Sequence, residues 1–147
     1  MKRATRLIPV KKIMDDAERR AMERSAAAER VLSSGEQKLQ DLVSYRGDYE
    51  QGLVRRAGLG IGARDLVDYH AFMHRLDLAI KQQTQIVERL RMDRDAQQRL
   101  WQQAAQRAKS MTHVIEQWQL LEQQKAAKRE QREFDERAQR KPVVRYE

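Results

Sequence analysis

His70 and His74 stand four residues apart with Asp77 close behind, a spacing that on a helix gathers two imidazoles and a carboxylate onto one face, as a metal site requires. No fourth ligand accompanies them, so they read as surface histidines beside a turn and no metal is expected. Gly58, Gly60 and Gly62 crowd together, but no strand precedes them and no Gly-Lys-Ser/Thr follows, so they read as a hinge and not a phosphate loop. The chain has no cysteine, which removes thiolate catalysis and disulfides and suits a reducing, cytosolic compartment. Its 22 carboxylates need a concave pocket to acquire catalytic pKa values, and a helical coil is not expected to supply one. No catalytic residue, cofactor or enzymatic activity is expected.

The pattern that suggests chemistry is one of contact. Lys38, Leu42, Tyr45 and Tyr49 repeat at intervals of four, three and four, and so do Phe72, Leu76, Ala79 and Gln83. Each set occupies one helical face. Two tyrosines and a phenylalanine are bulky for a two-helix seam and are expected to stay partly exposed, as in a protein-binding hot spot. The alternative is that these residues simply pack against each other, which applies at least to Leu42 and Leu76.

The elements that position this patch follow from periodicity. Val10, Met14, Ala17, Ala21, Arg24, Ala28, Val31, Gly35, Lys38, Leu42, Tyr45, Tyr49 and Gly52 alternate in steps of four and three, and nine of the thirteen are apolar. A second such seam runs through Leu66, Tyr69, Met73, Leu76, Ile80, Gln83, Val87, Leu90, Arg94, Gln97, Trp101, Ala104, Ala108, Met111, Ile115 and Trp118, with thirteen of sixteen apolar. The expected fold is all-α: helix 1 over about 9–56, a glycine hinge at about 57–64, helix 2 over about 65–140, and a short tail at 141–147, in one coiled-coil domain. Asp65 is the expected N-cap of helix 2, and Asp68 suits its first turn.

A short turn makes the helices antiparallel, and folding about residues 60–61 pairs Tyr49 with Phe72, Tyr45 with Leu76, Leu42 with Ala79 and Lys38 with Gln83. Helix 1 is then expected to run out near residue 110. At about 1.5 Å per residue the paired part spans roughly 70 Å and helix 2 roughly 110 Å, with a C-terminal overhang that lacks an intramolecular partner. Trp118 falls opposite residue 3, before the expected start of helix 1, and is thereby left for a partner; Phe134 on the charged overhang is a second candidate contact.

Composition supports a narrow seam over a layered core: 147 residues, 35% charged, 5% aromatic, and a mean hydropathy of −0.90. The longest apolar runs fall far short of the roughly 20 residues that cross a bilayer. The basic start, Lys2, Arg3 and Arg6, leads to no secretory pattern, because Lys11 and Lys12 follow the apolar stretch at once. Nine basic and five acidic residues fall within 1–30 and thirteen against nine within 91–147, whereas 31–90 balances at eight each. One end of the expected rod is basic and the other neutral, an asymmetry suited to joining two different partners.

Over nearly its whole length the chain resembles the flagellar FliJ family of type III export proteins. The likeness is strongest over Gln37–Tyr49, over Tyr69–Gln83, and over Trp101, Trp118, Phe134 and Lys141-Pro142. It implies a two-helix antiparallel coil similar to the γ-subunit stalk of rotary ATP synthases, its basic end inserted into the hexameric ring of the export ATPase FliI. It further implies stimulation of ring assembly and hydrolysis, contact with the export gate FlhA, escort of flagellar export chaperones, and a role in flagellum biogenesis and motility. The protein would then be cytoplasmic and peripheral to the inner membrane, held there only through partners.

Family gate-contact positions correspond to Lys38, Leu42, Tyr45, Tyr49, Phe72, Leu76, Ala79 and Gln83, where relatives can carry Gln at the first and His at the last. Two other readings remain. A sequence pI near 10 fits a nucleic-acid-binding coil, against which stand the interspersed acids and the lack of a recognised DNA-binding element. The equivalent stalk of a virulence secretion system would share the shape, and genome neighbourhood separates it from the flagellar one.

Overall fold

The computed structural model describes residues 2–140 as two helices, α1 (Arg3–Ala57) and α2 (Ala63–Gln139). The expected tail at 141–147, with Lys141-Pro142, lies outside the described residues. The connection at 58–62 is a wound turn: Gly58 N–H donates to Val54 O at 3.4 Å, Leu59 N–H to Arg56 O at 2.9 Å, and Gly60 N–H to Ala57 O at 3.3 Å. Gly60 has φ +86°, the left-handed region in which a Cβ is strained. Arg55 and Arg56 in the last turn of α1 offset the negative end of its dipole.

Both helices begin earlier than periodicity suggests. Helix α2 begins at Ala63, and Leu66 N–H donates to Gly62 O at 3.2 Å, so Asp65 lies inside the first turn and is not the cap. It still favours the dipole there. Helix α1 begins at Arg3 and runs through Pro9, which cannot donate to the carbonyl one turn back. Contacts with α2 hold this first segment: Ala4 is only 3% exposed, and its N–H donates to Glu122 Oε1 at 3.3 Å.

The packing divides into two units, each built from both helices. One comprises residues 20–102, and the other residues 2–19 with 103–140 among those described. In the first, Arg94–Glu29 at 3.4 Å, Arg91–Glu36 at 3.7 Å and Arg46–Asp77 link the helices, one residue number rising as the other falls. The pairing is antiparallel, close to the expected register. Its core contains Ala28, Leu32, Met73, Leu76 and Val87, with the buried polar residues Ser25 and Gln83. Gln83 is satisfied by donating Nε2–H to Gly35 O at 3.0 Å. In the second unit Ala4, Ala108 and Ile115 are buried.

The α2 seam follows the expected positions from Tyr69 to Trp118, although Leu66 at its start is exposed. It does not stop at Trp118: Glu122 and Ala126 are half-buried, because α1 begins earlier than expected and so reaches beyond residue 110 of α2. From residue 127 to 139 α2 is helical and exposed. The α1 seam, in contrast, is rotated. Ala21, Ala28, Gly35 and Leu42 face inward as expected, but Ser25, Leu32, Leu39 and Arg46 alternate with them where Arg24, Val31, Lys38 and Tyr45 were expected. Counted from Ala21, steps of four then three replace three then four, and both choices contain similar numbers of apolar residues.

Candidate functional site

One consequence of the rotated seam is that Tyr45 and Tyr49 lie on the flank of α1 and not at its centre. They are 51% and 37% exposed. One turn apart, their ring centroids are 6.1 Å from each other, and α2 adds Tyr69 and Phe72 at the complementary spacing of three. Tyr49 is the hub: its centroid lies 4.5 Å from Phe72 and 5.5 Å from Tyr69, with which it stacks at an interplanar angle of 13°. Tyr45 meets Phe72 edge-on at 6.1 Å and 80°, and His70 meets Tyr69 likewise at 5.7 Å and 72°. Offset and edge-to-face contacts of this kind fix the rings beyond what burial alone achieves.

The eight sequence-derived positions divide by depth. Lys38, Tyr45 and Tyr49 are exposed, Leu42, Phe72 and Ala79 are half-buried, and Leu76 and Gln83 are buried in the seam. Leu76 and Gln83 therefore support the patch from beneath. The expected Tyr49–Phe72 contact is present, while Gln83 meets Gly35. Arg46 braces the patch by donating to Asp77 across the helices and pairing with Glu50 at 3.2 Å within α1. The Asp77 hydrogen bond, assisted by its charge, holds the Arg46 guanidinium protonated even more firmly than usual.

Asp77 is thus engaged by Arg46, and His70 by Tyr69, which leaves the His70–His74–Asp77 trio divided. No group of three or more His, Cys, Asp or Glu among the described residues could hold a metal ion. No helix is long and apolar enough to cross a membrane among those residues.

Between the aromatic cluster and the turn lies a cleft of about 760 Å³, lined by Tyr45, Tyr49 and Tyr69, the carboxylates Asp48, Asp65 and Asp68, and the ends of both helices. A concavity was not expected in a coil. Its three aspartates are exposed, so it does not provide the desolvation that catalysis by carboxylates needs.

In the other unit, Trp118 is half-buried with the Arg3 guanidinium 4.5 Å above its ring. The indole is not left bare by a late start of α1, and one of its faces has an intramolecular cover. Phe134 is 69% exposed. Sequence reasoning placed Tyr69 in the seam but missed its stacking on Tyr49; its spacing of three from Phe72 was the available signal. The Arg46–Asp77 link was legible only once the antiparallel register was known.

A family model described as "Flagellar FliJ protein" matches residues 1–145, essentially the whole chain. No curated protein and no solved structure gives a significant match.

Proposed function

Because the chain belongs to the flagellar FliJ family, and is thereby a component of the flagellar export apparatus, we propose that it is the stalk of the export ATPase FliI and docks on the export gate FlhA. The observation that carries the gate contact is the cluster of exposed Tyr45 and Tyr49 with half-buried Phe72, held by ring packing next to the buried Leu76. Rigid aromatic side chains lose little conformational freedom on binding, so their contact area converts efficiently into affinity. Lys38, Leu42 and Ala79 form the margin of this surface.

The unit of residues 2–19 and 103–140 carries fourteen basic and nine acidic residues, against fourteen and twelve in residues 20–102. We assign the more basic unit to the ATPase ring, with Phe134 and the uncovered face of Trp118 as contacts. Export chaperones would be escorted by the same protein, which would work in the cytoplasm and at the inner membrane only through its partners. It carries coupling, and the hydrolytic chemistry belongs to the ATPase.

The test is binding and FliI hydrolysis with and without the chain, alongside FlhA capture by the Tyr45→Ala, Tyr49→Ala and Phe72→Ala variants at verified helicity. Stimulated hydrolysis, with FlhA binding lost in the variants, is expected. Absence of any FliI complex would remove the stalk reading, and undiminished FlhA capture would remove the patch.

A further inference from the structure

The cleft beside the turn has a composition that the aromatic patch alone does not explain. Asp48, Asp65 and Asp68 line it together with the stacked Tyr49–Tyr69 pair, and none of the three carboxylates forms a hydrogen bond or ion pair with any described residue. Elsewhere in residues 20–102, cationic side chains engage acids repeatedly, as at Arg46–Asp77, Arg91–Glu36 and Arg94–Glu29. Arg56 also lines the cleft but pairs with none of the three aspartates. Three carboxylates against one guanidinium leave the lining with a net charge of −2.

Asp65 has a partial explanation, since it sits in the first turn of α2, where a negative charge favours the helix dipole. Asp48 has none. It lies more than two turns inside α1, beyond the reach of either helix end, and pairs with no described residue. Aromatic faces beside unpaired carboxylates form a cation-accepting surface, the rings through their electron-rich faces and the acids through charge-assisted hydrogen bonds. Leu53 and Ile61 add apolar lining of the kind that accommodates the aliphatic stem of a long basic side chain.

We infer that this cleft receives an arginine or lysine side chain of a polypeptide partner, the cation packing against Tyr49 and Tyr69 and pairing with Asp48. The proposal deepens the docking reading of the aromatic patch and rests on it only for the partner being a polypeptide. Its charge requirement is separate from the apolar contact that Tyr45 and Phe72 would make.

The probe is the tripeptide acetyl-Arg-Gly-Arg-amide, titrated into the full chain with selectively labelled tyrosine rings observed by NMR, against the same peptide with neutral citrulline at both arginines. Saturable shifts confined to Tyr45, Tyr49 and Tyr69 and at least several-fold weaker binding of the citrulline peptide are expected. Asp48→Asn should weaken the arginine peptide by roughly threefold or more, the effect of one exposed ion-pair contact, with helicity unchanged. Equal binding of the two peptides, indifference to Asp48→Asn, or an equal shift at Tyr146, the chain's fourth tyrosine, would overturn the assignment. FlhA capture lost in the Tyr45→Ala, Tyr49→Ala and Phe72→Ala variants while the arginine probe fails would retire the cationic cleft alone and leave the aromatic docking surface standing.

Discussion

Exchanging Leu32 and Val31 for alanine, one at a time, measures which face of α1 forms the seam. Leu32 is 2% exposed and Val31 is 53% exposed, although both are aliphatic and adjacent. Leu32→Ala removes three carbon centres from the interior, about 2.4 kcal/mol at ~0.8 kcal/mol per buried methylene, before any residual cavity is counted. A two-helix seam can close partly around the gap, which places the expected loss at about 2–3 kcal/mol. Val31→Ala removes exposed surface and replaces a β-branched residue with the best helix former, so its expected effect lies between zero and a gain of about 0.5 kcal/mol. Urea unfolding of both variants followed by circular dichroism, with matched denaturant slopes, gives the two values directly. If Val31→Ala cost as much as Leu32→Ala, the rotated seam would be wrong, and with it the flank position that exposes Tyr45.

The glycines within α1 provide a second comparison: a Cβ at Gly47 meets nothing within 4 Å, whereas at Gly35 it would lie 2.8 Å from Leu90 Cδ1. Gly47→Ala should therefore stabilise by about 0.5–1 kcal/mol, and Gly35→Ala should forfeit that gain through crowding; equal gains in thermal unfolding would disprove the close approach. Gly60→Ala places a Cβ on a left-handed backbone and should destabilise by about 1–2 kcal/mol, an effect absent if the turn adopts another conformation. Arg3→Ala uncovers one face of Trp118 and should red-shift the tryptophan emission, provided that a Trp101→Phe background isolates the signal; an unchanged spectrum would argue against the Arg3–Trp118 contact.

The architecture was readable because its physical causes are local. Long stretches without glycine or proline, seams recurring every three or four residues, and one cluster of three glycines suffice for two antiparallel helices. The α2 seam was legible residue by residue because its apolar positions have few competitors. In α1 the competing stripes Val10–Ala17–Val31–Tyr45 and Leu32–Leu39–Leu53 are about equally apolar, and the choice between them is made by α2, whose Val87 and Leu76 are buried alongside Leu32 in the same core. The start of α1 was missed for the same reason: Pro9 is a local boundary signal, and Glu122 and Trp118, more than a hundred residues away, override it through Ala4 and Arg3.

The candidate site shows both regimes. Tyr45, Tyr49 and Phe72 were identifiable from spacing, since residues on one helical face are neighbours whatever the rest of the chain does. Their partial exposure was expected from bulk alone; the rotation of α1 that sets it for the two tyrosines was not legible, and neither was the cleft, which exists only where Tyr69 and Asp65 of α2 come to face Asp48 and Tyr49 of α1. A small rotation of one helix thus decides whether two tyrosines are core or contact. The same rotation brings Arg46 inward to Asp77, so the link that braces the site and the exposure that would make it useful arise from a single choice of register.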